Sequence, residues 1–319
     1  MVSKQAQHAT KALKSIARNE QIKSYIQQSS DLYPILLRGA KRFVAGETRE
    51  EAIAKARQFV HKGYQVSLEY IGENTQQMEE CIAAKNEIIG LITDLNPPLH
   101  DGTISLDLSH IGLAIDLRQT EIHLHQIADE ARKRNYTVMI SMEESSKTDQ
   151  ILTVYQNTAN HYPNVGITVQ AHLHRTKKDI QALLNYPGKI RLVKGAFEEE
   201  SDIALSRSNA LNERYLQLVE MIIAANHPLS VATHDQSIIS SLLQKQLLHS
   251  ELVECEMLYG ISPEYLKSLK ENGIHTRVYL TYGSEWYLYL CHRLAEFPPN
   301  LYTFIADMMN EPSSPLNRY

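Results

Sequence analysis

From about residue 63 the chain settles into a repeating rhythm. Short β-branched, apolar runs alternate with longer segments whose apolar residues recur at helical spacing. The runs are "YQVSLEYI" (64–71), "TISLDL" (103–108), "TVMISM" (137–142) and "VGITVQA" (165–171). They continue with "KIRLVKG" (189–195), "PLSVATH" (228–234), "LVECEML" (252–258) and "HTRVYLT" (275–281). Between them lie helical patterns such as "TEIHLHQIADEARKRN" and "ERYLQLVEMIIAAN". About eight strands alternating with helices predict an α/β fold, a closed parallel (β/α)8 barrel of the TIM type. An open doubly wound sheet usually has fewer strands and a glycine-rich first turn, and no Gly-x-Gly-x-x-Gly occurs here. No internal repeat is evident.

Ahead of this rhythm no convincing strand appears, and the chain reads as two or three helices. One opens at Thr48 with Glu51 three residues on, the spacing of a capping box. The expected organisation is an N-terminal helical segment (1–62), a barrel (63–310) and a tail (311–319). The tail belongs to the polar stretch "NEPSSPLNRY", which holds two prolines, and is expected to be disordered.

Composition narrows the function classes. The 319 residues are 43% hydrophobic and 22% charged, an ordinary globular balance. A net charge of -5 with a pI of about 6.3 gives no nucleic-acid signature. Cys81, Cys255 and Cys291 form no Cys-x-x-Cys pair, so neither a disulfide framework nor a zinc knuckle is legible, and a reducing cytoplasm is the default. The N-terminus is polar with no apolar signal core, and no apolar run approaches the roughly 18 residues of a membrane span.

Chemistry in such a barrel sits at the C-terminal strand ends. Those ends carry Glu69, Asp107, Ser141, Glu143, Gln170, His172, Arg191, Lys194, Thr233, His234, Asp235, Glu256 and Tyr279. The segment "RLVKGAF" sets two cations, Arg191 and Lys194, into an apolar strand on opposite faces. Each needs an anion or an acceptor. An ion pair with a neighbouring strand and a bound electron-rich ligand explain this equally well. "ATHD" (232–235) is a weak signal alone, since His-Asp adjacency is common in capping turns. "HLH" occurs at 123–125 and 172–174, without the His-x-x-x-His spacing of a zinc helix, so no metal site is assigned. A helix read from Ser284 brings Tyr289, His292, Arg293 and Glu296 onto one face. An Arg beside an aromatic suits capture of a carboxylate or a planar ring.

Taken in order, "EYIGE", "LSHIGL", "ITVQAHLHR", "RLVKGAF", "ATHD", "MLYG", "RVYLTYGSEW" and "YLCHRLAE" resemble the proline dehydrogenase family, from about "KRFVAGETREEAI" (41–53) to "RLAEFPP" (293–299). The resemblance implies a distorted (β/α)8 barrel with FAD at its C-terminal mouth and a final helix over the substrate. It implies removal of a hydride from the carbon next to an amine nitrogen, delivered to flavin N5, with the protein orienting and tuning the cofactor. Carried over by matching position, Arg191 lies near N5 and Lys194 beside the ring, with Val193, Gly195 and Ala196 in the same cofactor segment. Gln170 reaches the pyrimidine edge, and Thr233 and His234 contact the far portion of the cofactor. Tyr279, Tyr289, Arg293 and Glu296 match the family on the substrate side, with Glu296 supporting the final helix.

Other substrate-side positions depart from the family. Asp107 stands where the resemblance expects a Lys, Ser141 where it expects an Asp, and His292 where it expects the first of two Arg. Phe197 replaces a Tyr, Glu256 replaces a Gln, and "LSRSN" (205–209) replaces a Pro-Asp-Lys segment. The expected enzyme is therefore an FAD-dependent oxidoreductase acting on a proline-like or other amino substrate through an altered carboxylate clamp. Arg293 would bind an acidic or polar end, and Asp107 would attract a cationic group. The alternatives are an ordinary L-proline dehydrogenase forming pyrroline-5-carboxylate with His292 as a weaker clamp, a non-catalytic flavin-binding scaffold, and a Schiff-base enzyme using Lys194. The electron acceptor is left open between a quinone, oxygen and a protein. A peripheral membrane association is left open with it.

Overall fold

The computed structural model describes residues 4–17, 19–297, 300–309 and 315–319. Four helices come first: α1 (Lys4–Ala17), α2 (Glu20–Gln28), α3 (Leu32–Ala40) and α4 (Arg49–His61). Strands and helices then alternate: β1 (Gln65–Tyr70), α5 (Met78–Asp94), β2 (Thr103–Leu106), α6 (Leu117–Lys133), β3 (Thr137–Ile140), α7 (Thr148–Ala159), β4 (Val165–Gln170) and α8 (Thr176–Leu183). The second half runs β5 (Ile190–Val193), α9 (Asn209–Ala224), β6 (Leu229–Ala232), α10 (Gln236–Gln244), β7 (Val253–Leu258), α11 (Pro263–Glu271) and β8 (Thr276–Tyr282). Two helices, α12 (Trp286–Glu296) and α13 (Asn300–Met309), follow. The strands pair in parallel in sequence order, and β8 closes on β1 with Val66 opposite Val278.

The two-residue strand period separates the faces cleanly. Leu68, Ile104, Val138, Ile140, Ile167, Leu192, Val231 and Leu280 are fully buried in the main apolar core. Most alternate positions are polar, and bonds among them join strands that are not neighbours, so they run through the barrel interior. Arg191 on β5 reaches Ser67 on β1 at 3.3 Å and Ser105 on β2 at 3.0 Å. The barrel is therefore filled by ion pairs instead of by the branched apolar residues common in this architecture. Nearer the N-terminal ends of the strands, Arg277 donates to Glu254 at 2.9 and 3.0 Å and to Asp101 at 3.1 Å. Burial would raise the Glu254 carboxyl, but Arg277 and Lys189 hold it down to about 2.

The Thr48–Glu51 capping box forms as the spacing predicts: Thr48 Oγ1 accepts from Glu51 N, and Glu51 Oε2 from Thr48 N, both at 3.3 Å. Two expectations change. The segment before the barrel holds four helices, and the fourth is part of the barrel wall, because Ala52, Ala56 and Phe59 lie in its core. Helices α1–α3 instead share a second apolar cluster with α12 and α13, built on Phe43, Trp286, Leu290 and Phe304. They back the helix that follows the last strand.

The tail expected to be disordered docks over its last residues; 310–314 lie outside the described residues. Tyr319 is buried, with its ring edge-on to Phe59 at 4.7 Å and its hydroxyl accepting from Gly260 N at 2.9 Å. Polarity alone does not reveal an aromatic socket built from Phe59 of α4, Tyr64 just before β1 and Tyr259 just past β7. Tyr319→Ala should lower Tm by on the order of 5 °C, the scale of losing about 3 kcal/mol of aromatic burial. Differential scanning calorimetry checks it; an unchanged Tm would show the docked tail to be neutral.

Candidate active site

The C-terminal mouth gathers side chains from almost every strand. Arg191 is 3% exposed and lies inside the barrel. Its Nε and Nη2 donate to the Glu256 carboxylate at 2.6 and 2.9 Å. Ser67 and Ser230 donate to the same carboxylate at 2.5 and 2.7 Å. Burial works against the Arg191 charge, but Glu256 more than restores it. Tyr279 of β8 caps the pair, its ring 4.8 Å from the guanidinium. The Tyr279 hydroxyl donates to Glu69 Oε2 at 2.6 Å. Burial raises the Glu69 carboxyl, with Tyr279, Arg191 and Arg293 opposing that rise.

Beside Glu69 the mouth is acidic. Asp107, just past β2, is pushed well above the usual carboxylate range by burial and by Glu69, Glu143 and Glu73. Ser141, just past β3, hydrogen-bonds Asp107 and eases the shift. Glu143 is 3% exposed and accepts from Ser109 N at 2.9 Å and Lys147 Nζ at 2.6 Å. Asp107 and Ser141, predicted at adjacent strand ends, are thus in contact.

Helix α12 supplies the other wall. Arg293 stacks on Tyr289 at 5.1 Å and donates to Glu296 Oε1 at 2.7 Å. His292 is half-buried on the same helix. His234, past β6, is held neutral: burial and Arg293 push it down to about 3. That effect places α12 close to the β6 end.

The β4–β6 side is built differently. Gln170 donates to the Glu143 carbonyl at 2.9 Å and accepts from Thr176. Lys194 points away from Arg191, as its strand face requires, and pairs with Asp235. Burial would raise Asp235, but Lys194 and Ser237 hold it at about 2, and it caps α10. Thr233 Oγ1 accepts from Asp235 N at 3.2 Å. Gly195 has φ +109°, and a Cβ there would lie 1.6 Å from His172 Nδ1, so glycine lets that ring rest on the turn. Val193 is half-buried and Ala196 exposed.

The family model for proline dehydrogenase matches residues 52–298. The chain belongs to the proline dehydrogenase family. Membership makes it an FAD-dependent oxidoreductase, as the sequence resemblance implied. It is 31% identical over 265 residues to proline dehydrogenase 1 of Bacillus subtilis, covering 82% of this chain and 88% of that one. It is 28% identical over 307 residues to the proline dehydrogenase of Deinococcus radiodurans, covering 94% and 97%. The fold is similar to proline utilization A from Bdellovibrio bacteriovorus inactivated by N-propargylglycine, with a TM-score of 0.75 and 17% identity. That match covers 94% of this chain but 40% of the longer one.

The mouth of this family member suits a large polar cofactor. His172 Nε2, His234 Nδ1 and Arg293 Nε are buried with no hydrogen-bond partner among the described residues. Such orphaned atoms are costly unless a ligand completes them. Among the described residues no group of three or more His, Cys, Asp or Glu could hold a metal, and no helix is long and apolar enough to cross a membrane. Sequence reading placed Glu69 at a strand end without a role, although Tyr279, Arg191 and Arg293 all converge on it. The only signal was its place in "EYIGE".

Proposed function

We propose that this barrel oxidises an amine at the carbon next to nitrogen, on a proline-like or other amino substrate that carries a cationic group toward Asp107. The observation behind this reading is the cluster of Glu69, Asp107, Glu73 and Glu143 at the mouth, eased by Ser141 and opposed on the α12 side by Arg293. Gln170, Arg191, Val193, Lys194, Gly195, Ala196, Thr233 and His234 would hold FAD. When bound, FAD supplies the acceptor for the hydride.

The chain's own groups do the positioning. Arg293 anchors an anionic or polar end of the substrate with charge-assisted bonds. Tyr289, stacked on it, restricts the guanidinium, and Glu296 steadies α12 from the exposed side. Tyr279 spans Arg191 and Glu69 and forms one wall of the substrate space. Asp107 holds its proton more tightly than a solvated carboxyl, so a substrate ammonium beside it favours proton release. Lys194 is already engaged by Asp235, which disfavours carbonyl capture through a Schiff base.

A second reading, ordinary L-proline dehydrogenase, is favoured by the names of the relatives and by the retained Arg293. The test is purified protein with its flavin, mixed anaerobically with a panel of amino compounds while flavin absorbance is followed. Faster bleaching by compounds with a second basic group supports the first reading. Rapid, saturable bleaching by proline alone supports the second. No bleaching by any amine supports a non-catalytic barrel. Reoxidation by oxygen, a soluble quinone or a quinone in vesicles then separates the acceptors and tests a peripheral membrane role.

A further inference from the structure

We propose that Glu256 sets the oxidising strength of the bound flavin by cancelling the charge of Arg191. The inference rests on the reading of the mouth as the FAD site and goes beyond it to the residue that tunes the cofactor. Arg191 is the most deeply buried cation of that mouth, and Glu256 meets it through two bonds of 2.6 and 2.9 Å. Glu256 is engaged by more than the arginine, since both of its oxygens also accept serine hydroxyls, from Ser67 and Ser230. The cation just past β5, Lys194, is matched by Asp235 in the same one-to-one way. The segment that would face the flavin therefore carries two cations and presents almost no net charge.

The consequence follows from electrostatics. Reduction adds electron density to the flavin, and so does addition of an anion such as sulfite to the oxidised ring. An uncompensated cation near the ring would favour both; a neutral ion pair would favour neither. An amide at position 256 keeps one oxygen to accept from Arg191 and turns its NH2 toward a serine hydroxyl oxygen, leaving the positive charge unmatched. The pair thus works as a brake on the flavin, and the carboxylate is the residue that applies it.

The test is a sulfite titration of the flavin-loaded protein and of Glu256→Gln, read by loss of visible flavin absorbance, with dye-linked potentiometry beside it. Glu256→Gln should bind sulfite about tenfold more tightly. Its two-electron midpoint should rise by about 30 mV, the equivalent of that tenfold change. Affinity and midpoint unchanged within about twofold would overturn the proposal while leaving the flavin site intact. Parent protein that takes up no flavin would overturn the site reading as well.

Removing one member of a buried pair can prevent folding, so Arg191→Gln/Glu256→Gln is the second arm; replacing both charges is often tolerated. If the pair is electrically silent, this double variant keeps sulfite affinity within about threefold of the parent. A tenfold or greater loss, on the order of one full charge, would show that the flavin feels Arg191 despite Glu256 and would sink the proposal.

Discussion

Arg293→Ala should lower kcat/KM by on the order of 10²–10⁴-fold while the protein keeps its flavin. Arg293 is the cation of α12 directed at the mouth: its side chain is 15% exposed, its ring neighbour Tyr289 fixes its plane, and its Nε is buried without a partner. Each charged hydrogen bond lost is worth roughly 1.5–3 kcal/mol, and a forked contact makes two. KM should absorb most of the loss, because a carboxylate anchor is gripped equally before and during hydride departure. Arg293→Lys should fall between the two, since a point charge replaces a planar fork. Steady-state kinetics beside a flavin-to-protein ratio checks this. An alanine variant within about threefold of the parent would remove Arg293 from the substrate site.

The barrel was legible because its signal is local. Each strand run lies within two residues of the observed strand: β5 ends at Val193, just ahead of Lys194, whose side chain pairs with Asp235, and of Gly195 with φ +109°. What sequence spacing leaves open is who meets whom across the interior. Arg191 and Glu256 are 65 residues apart, and Tyr279 and Glu69 are 210 apart. No periodicity encodes those contacts. Arg191 stood evenly between an ion pair and a ligand contact, and the fold supplies the ion pair outright. The tail failed for the same reason: "NEPSSPLNRY" is polar on paper, and only the closed barrel brings Phe59 and Gly260 to receive Tyr319.

The largest change of specificity is expected from Asp107→Lys, which should raise kcat/KM for proline and depress it for compounds with a second basic group. Asp107 sits among Glu69, Glu73 and Glu143, of which Glu143 is paired with Lys147, so a substrate carboxylate finds no cation at this position and is repelled by whichever of these carboxyls is ionised. Where Asp107 is ionised the exchange swings the local charge by two, and where it holds its proton by one. At an effective dielectric of ~20, each charge a few Å away is worth up to about 4 kcal/mol, so the preference should move by on the order of 10²-fold or more. The pH dependence has a definite sign. Asp107, with its carboxyl raised by burial and by its acidic neighbours, is neutral at low pH and ionised above its shifted value. Binding of a cationic amine should therefore strengthen as pH rises through that value, until the substrate amine itself loses its proton. Stability runs the other way. The native state holds a proton that the unfolded chain releases, so stability is lost as pH rises from the ordinary carboxyl range through the raised one. Asp107→Asn should abolish both trends and raise Tm at neutral pH by on the order of 2 °C. Competitive binding of cationic amines across pH, with calorimetry on the same samples, measures both arms. If Asp107→Lys leaves proline turnover where it was, the acidic cluster is not what selects the substrate, and the ordinary proline dehydrogenase reading gains the position.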